Sequence, residues 1–584
     1  MTKRRDNMAY NLKPETTIKN YSDTWEGYES IFKQLRKNST DNTEQRIVIE
    51  CYPGVDLDEI EDALRKECHD YLLIRSDDYA YDAETVTEMI QKTLTEDRVF
   101  GVMSHAELTE FFPSYEREKL QKKIANTKQP VIVYGTGASL LVEEPTTLVY
   151  ADLTRWEIQL RFRKGMPNWR GANEEEDALR KFKRGYFFEW RMADRLKQKL
   201  YNDIDFLLDT NKKNEPKMVS GKDYRQALSE VVSQPFRLVP YFDASVWGGQ
   251  WMKEQFNLDP SAENYGWAFD GVPEENSLLL RFGATVIEIP AINAVHQFPD
   301  ELLGKKVRAR FGKEFPIRFD YLDTVGGGNL SLQVHPMVEY IQEKFGMHYT
   351  QNESYYILDA NERSTIYLGV KEGISKNELF ADLKKAATGD FRFPDEKYIN
   401  CFPVKKHDHY SIPSGTIHCG GPETVVLEIS QTPYIFTFKL WDWERVGLDG
   451  IPRPVHLKHG EKNVQIDYDT NWVKENLINQ IEVIEETDNR IIEKTGLNEL
   501  ELIETRRYWF SDMVEVKTKE SVNMLNLVEG EKITVESLTG AFEPFNVNYG
   551  ETFIVPEQLK EYKLVNQGDP TKKVAVIQAF IRGL

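Results

Sequence analysis

Apolar residues fall in two rhythms along this chain. Up to about residue 205, short apolar runs such as "RIVIECY" at 46–52 and "PVIVYGTG" at 130–137 end in Gly or Pro punctuation, the mark of buried strands. "YLLIRSDD" and "TLVYADL" predict two more. Between them, "DEIEDALRKECHDY", "AETVTEMIQKTL" and "SYEREKLQKKIANT" predict helices, and the long amphipathic "EEEDALRKFKRGYFFEWRMADRLKQKL" closes the region. Strands alternating with helices predict a doubly wound α/β domain with a parallel sheet over residues 1–210. The polar, Lys-rich "DTNKKNEPKMVSGKD", broken by Pro and Gly, predicts a linker at 211–232.

Beyond the linker the rhythm shortens. "STIYLGV", "HYSIPSGTIHC", "TVVLEIS", "YIFTFKLWDW" and "ETFIVP" are short strands bounded by turn residues, with helical insertions such as "MVEYIQEKFG" and "KNELFADLKKAA". This texture predicts mainly-β architecture, sandwich or barrel. It divides into a larger domain at 233–499 and a smaller β domain at 500–584 that carries no histidine.

A chain of 584 residues is too long for one core and implies about three or four domains. A net charge of −21 repels nucleic acid and anionic membranes. An anionic substrate therefore needs a local cluster of Lys and Arg. Cys51, Cys68, Cys401 and Cys419 form no CxxC pair, which fits a reducing, cytoplasmic setting. The opening "MTKRRDNMAYNLKPETT" lacks the apolar core of a signal peptide. The most apolar stretch, "SLLLRFGATVIEIPAINAV", is broken by Arg281 and Glu288, so no membrane span is expected.

Candidate chemistry starts at "NLSLQVHP", residues 329–336. Side chains two apart on a strand share a face, so Gln333 and His335 point the same way. "QNESYYIL" places Glu353 at the start of an apolar strand, and "IPSGTIHCGG" places His418 just after a Gly turn. Together they offer two nitrogens and two oxygens, a set that suits zinc and tolerates manganese or iron. Each alone has a plainer reading, a hydrogen-bonded core histidine or a surface carboxylate. His407 and His409 in "KKHDHY" form a second HxH pair, but its flanking charges predict an exposed strand end.

Taken in order, "LSLQVHP", "NESYYILDA", "IPSGTIHCGG", "LEIS" and "DWER" followed by "RPVH", with "WGG" in "PYFDASVWGGQWMKEQF", resemble the class I mannose-6-phosphate isomerases over about residues 231–584. The resemblance implies tandem cupin β-barrels and one Zn2+ per chain on Gln333, His335, Glu353 and His418. It also implies interconversion of mannose 6-phosphate and fructose 6-phosphate through a cis-enediol. Glu428, ten residues past His418, is the candidate base. Lys439, Arg445, Arg453 and Lys458 are the candidate phosphate cations, with Lys439 also close to the chemistry. Two positions depart from the family. Lys439 stands where an arginine is usual, and Gln351 stands where many members have lysine. These departures keep a rival open, a non-catalytic zinc cupin that binds a sugar phosphate as a sensor or scaffold. An oxygen-using cupin, which would call for iron, is a third reading.

The first two hundred residues resemble P-loop nucleoside kinases of the uridine kinase type, through "IVIECYPGVDLDE", "LLIRSDDYAY", "DRVFG" and "YADLTRWEIQLRFRKG". A working phosphate loop needs GxxxxGK[ST]. "YPGVDLDE" has one glycine and no lysine, and "VYGTGASLL" has no lysine either. A degenerate domain used for docking or regulation, with an unidentified protein partner, is the expectation.

Overall fold

The computed structural model describes residues 10–37, 45–389, 391–432, 435–448, 450, 452–496 and 501–583. Residues 1–9, on which much of the signal-peptide reading rests, and the expected 499/500 boundary lie outside them. No helix among the described residues is long and apolar enough to cross a membrane. The chain divides into two compact units. One holds 15–231 and 277–297, and the other holds the described residues of 1–14, 232–276 and 298–584.

In the first unit, strands β1 (Arg46–Cys51), β2 (Leu72–Arg75), β3 (Val131–Gly135), β4 (Thr147–Asp152) and β5 (Phe206–Asp209) run parallel in the order β5-β4-β1-β3-β2. β3, β4 and β5 are buried along their whole length, as expected where crossover helices cover both faces. The helix Leu57–Glu67 that follows β1 is started by Asp56, whose carboxylate accepts the Glu59 N–H.

The expected boundaries need correction. Residues 211–232 are not a linker. Lys217–Ser220 adds antiparallel to β5, and Gly221–Val232 is a helix. Its Tyr224, Ala227, Leu228 and Val231 recur at helical spacing and are fully buried, so the polar residues around them mark only one turn and one solvated face. The first unit also reclaims 277–297 from the expected second domain. There the hairpin Ser277–Phe282/Thr285–Pro290 pairs in parallel with Glu15–Thr17. Finally, residues 10–14 belong with the second unit, where Tyr10 stacks on Phe256 at 4.1 Å between ring centroids.

The reclaimed segment matters because of Asn293. Asp152 and Lys197 form an ion pair, each 1% exposed. Asn293 donates to Asp152 Oδ2 at 2.9 Å and accepts from the Tyr201 hydroxyl at 3.1 Å. At the carboxyl end of β1, Glu50 fills the turn that follows β3. Its carboxylate accepts the N–H groups of Gly137 at 2.7 Å and Ser139 at 2.8 Å. Gly137 sits at φ +81°, and a Cβ there would meet the Phe112 ring at 2.6 Å. Burial pushes the Glu50 carboxyl up to about 7 against the pull of the two N–H donors. The backbone nest that could cradle an external anion thus holds the chain's own carboxylate.

In the second unit, β6 (Ile317–Asp323), β7 (Leu332–Val334), β8 (Glu353–Ala360), β9 (His418–Gly420), β10 (Thr424–Gln431) and β11 (Phe438–Trp441) belong to two facing sheets. The first runs His409–Ile412, β8, β10, β6, Trp267–Gly271, Tyr241–Asp243. The second runs Ile399–Pro403, Thr365–Val370, β9, β7, β11. Strands from Glu482 to Ile581 build a further six-stranded and a four-stranded sheet around Tyr508, Leu525, Phe553 and Val576. The hairpin Glu482–Glu486/Arg490–Thr495 is already part of that body, ahead of residue 500.

The HxH pair is also corrected. His409 is fully buried, its ring nitrogens 2.8 Å from Thr495 Oγ1 and 2.9 Å from Ser354 Oγ. His407 is half-buried, beside the Tyr356 hydroxyl at 2.8 Å and Glu529 at 3.3 Å. The flanking Lys405, Lys406 and Asp408 gave a local cue, but burial is decided by a strand some 86 residues downstream.

Two predictions follow from these contacts. Asn293→Ala leaves Asp152 and Tyr201 short of partners, at a cost of about 1–3 kcal/mol. Backbone amides of β4 should then lose hydrogen-exchange protection, and unchanged protection would show that Asn293 closes nothing. His409 is held down to about 3 by burial, then by Arg507. The unfolded chain takes up a proton below about 6.5 while the folded chain does not, so stability falls as pH drops from 6.5 toward 3. By pH 5 the loss is about 2 kcal/mol. Urea midpoints at pH 7.5 and 5 should diverge less in His409→Gln, which keeps hydrogen bonding without titrating.

Candidate functional site

The inner faces of the two sheets carry the chemistry. On β8 and β10 the register pairs Glu428 with Tyr355 and Ser430 with Glu353, so all four share one face. β6 adds Arg318 and Asp320, opposite Ser430 and Glu428. The opposing sheet pairs Gln333 with both His418 and Lys439. The turn before His418 is set by Gly415 at φ +85°, where a Cβ would meet Gln465 at 2.6 Å and Met337 at 2.8 Å.

Three of these side chains meet. Glu353 Oε2 lies 3.1 Å from His335 Nε2, and its Oε1 lies 2.9 Å from His418 Nε2. The group is at most 1% exposed. Gln333 Nε2 stands 3.2 Å from His418 Nε2. Backbone carbonyls fix both tautomers. His335 Nδ1 donates to the Phe436 oxygen at 3.2 Å, and His418 Nδ1 donates to the Thr416 oxygen at 2.9 Å. Both Nε2 atoms therefore turn toward the carboxylate, while His335 Nε2 and Glu353 Oε1 have no hydrogen-bond partner among the described residues. Burial alone would raise the Glu353 carboxyl, but the neighbouring His335 and His418 rings hold it well below the usual carboxylate range. Protons or a cation must lie among the three groups, whose ligand atoms fall within 4.8 Å of one another. Imidazoles whose second nitrogen donates to a carbonyl are the usual form of metal-binding histidine. The residues present fit a metal ion.

Around this centre, Glu428 is 7% exposed. Its carboxyl is pushed well up by burial, then by Asp320 and Glu353. Asp320 is raised to about 7 by burial, against the pull of Arg318. Gln351 Nε2 donates to Glu353 Oε2 at 2.9 Å and reaches Glu428 Oε1 at 3.3 Å. Lys439 is half-buried, its ammonium lowered to about 8 by burial and by Arg453. Arg445 and Arg453 both bind Asp442 Oδ1, at 2.8 and 3.2 Å. Lys458 stands exposed on the helix Leu457–Asn463, so it does not join this group.

Gln333, His335, Glu353, His418, Glu428 and Lys439 thus come to one interior, with Arg453 beside Lys439. The sequence reading missed Arg318, Asp320, Tyr355 and Asp442. A signal existed for two of them, because Arg318 and Asp320 are charges at i and i+2 among the apolar residues of a strand that ends in Asp323.

Residues 27–233 match a family described as a domain of unknown function (DUF8485). The mannose-6-phosphate isomerase ManA of Bacillus subtilis is 25% identical over 342 residues, covering 57% of this chain and 96% of the relative. The mannose-6-phosphate isomerase of Streptococcus mutans is 28% identical over 232 residues, covering 39% of this chain and 66% of the relative. The solved mannose 6-phosphate isomerase from Bacillus subtilis superposes with a TM-score of 0.49 at 20% identity, covering 60% of this chain and all of that one. The chain is a distant homologue of proteins named mannose-6-phosphate isomerase.

Proposed function

We propose that the second unit is an aldose–ketose isomerase that interconverts mannose 6-phosphate and fructose 6-phosphate in a cupin-type barrel carrying one Zn2+. The observation that carries this reading is the convergence of His335, Glu353 and His418 around a space that calls for positive charge, with Glu428 on the adjoining strand. Gln333, His335, Glu353 and His418 would hold the ion. When bound, zinc supplies Lewis-acid polarisation of the sugar carbonyl and its neighbouring hydroxyl. Glu428 carries the proton between the two adjacent carbons by way of the cis-enediol, and a carboxyl raised by its surroundings suits that exchange. Lys439, Arg453 and Arg445 take the phosphate, with the arginines supplying paired donors.

A second reading, a non-catalytic zinc barrel that senses a sugar phosphate, is favoured by Asp442, which already neutralises both arginines. For the first unit we propose a degenerate kinase-like domain used for docking. The support is a central first strand, a switch in strand order beside it, and Glu50 filling the place of an anion. Four unpaired cysteines support a cytosolic setting.

A coupled assay for fructose 6-phosphate formed from mannose 6-phosphate tests the main reading. Turnover should need Zn2+ and stop with chelator. Glu428→Gln should lower kcat about 10²- to 10⁴-fold. No turnover by zinc-loaded, folded protein would defeat the enzyme and favour the sensor. Metal binding is read separately. After chelator treatment, Zn2+ at about 100 times Kd should add roughly 2.7 kcal/mol of stability, seen as a raised melting temperature. The double variant His335→Ala/His418→Ala should show no shift, and an equal shift would place the ion elsewhere.

A further inference from the structure

We propose that Gln351 is the positioning residue that ties Glu353 to Glu428, and that its carbonyl oxygen receives a hydroxyl of the bound polyol phosphate. The first part rests on geometry alone, and the second rests on the function proposed above. Gln351 stands two residues before Glu353, just ahead of the start of β8, and it is 3% exposed. Its amide nitrogen has two hydrogens. One points to Glu353 Oε2 at 2.9 Å and the other to Glu428 Oε1 at 3.3 Å. Glu353 is on β8 and Glu428 on β10, so the amide spans two neighbouring strands.

That pairing locks the amide. Turning it over would set its carbonyl oxygen against Glu353 Oε2, whose carboxyl is held well below the usual range. Gln351 Oε1 is therefore committed to the other side, where it is buried and has no hydrogen-bond partner among the described residues. A buried acceptor without a donor costs free energy until one arrives. An acceptor fixed beside two carboxylates selects a hydroxyl over an anion. The residue thus does two separable things. It sets the distance between a metal-ligating carboxylate and a proton-carrying one, and it presents one oriented lone pair to the sugar.

Two variants separate these roles. Gln351→Met matches the length but neither donates nor accepts. Gln351→Lys can donate to both carboxylates but cannot accept. Zn2+ affinity, read by chelator competition, should fall about 10-fold or more in Gln351→Met, and Gln351→Lys should stay closer to wild type. Unchanged zinc affinity in folded Gln351→Met overturns the positioning role. Calorimetric binding of mannose 6-phosphate to the zinc-loaded proteins should weaken about 10-fold in both variants. Wild-type affinity in Gln351→Lys overturns the hydroxyl contact. Should wild type bind mannose 6-phosphate without turning it over, the isomerase reading fails while both arms still report on Gln351. Should it bind none, the hydroxyl contact falls with that reading, and the zinc arm still decides the positioning role.

Discussion

A carboxylate and two imidazole nitrogens face one another inside a two-sheet barrel, away from water. That is the constraint on which the second unit turns. Like-signed electron pairs packed this closely are stable only with positive charge among them. An apolar replacement would hold the sheets together better. The cluster is therefore a cost to folding that a bound cation would offset, and the barrel around it has to be rigid enough to keep the groups aimed. An unbroken ladder between β6 and β10, and a β8–β10 ladder regular from Glu353 to Ile357, supply that rigidity. The carbonyls behind His335 and His418 prevent the rings from turning away.

The same constraint spreads outward. Asp320 and Glu428 lie opposite each other across β6 and β10, both raised by burial, and Arg318 is the cation set against them. Gln351 adds a neutral strut where another charge would have to be balanced. At Asp442 the logic reverses. One carboxylate oxygen receives Ser331, Arg445 and Arg453, leaving the arginines oriented but partly neutralised. A phosphate bound there, as in the proposed function, would have to share or displace that carboxylate, so such anion contacts would be preorganised at the expense of net attraction.

Local pattern carried much of this. Period-two alternation in "LSLQVHP" is enough to put Gln333 and His335 on one face, and a Gly turn before His418 is readable as a sharp entry into a strand. The parallel sheet of the first unit is legible because its apolar runs and helical stretches alternate cleanly. What was not legible depends on pairing across long separations. His409 looks solvated among its charged neighbours until Thr495 covers it. Nothing near 211–232 announces that Met218 and Val219 join the sheet between β5 and Thr24–Glu26, because short strands flanked by lysines read as turn. Asp442 is invisible as a clamp until the chain brings Ser331 to it.

The interleaving of the two units has a kinetic consequence. The ion pair of Asp152 and Lys197 is closed by Asn293, which is 141 positions after Asp152. The strand Glu15–Thr17 finds its partner in Ser277–Phe282. The first unit therefore cannot complete its sheets or satisfy its buried charges until residue 297 has been made. By then residues 232–276, which belong to the other unit, have already emerged. Such non-local closure slows folding, because loop entropy is lost before the contacts that reward it. A chain built this way cannot finish its first unit before residues 277–297 have emerged, so an N-terminal fragment that stops short of them is a poor surrogate for the domain.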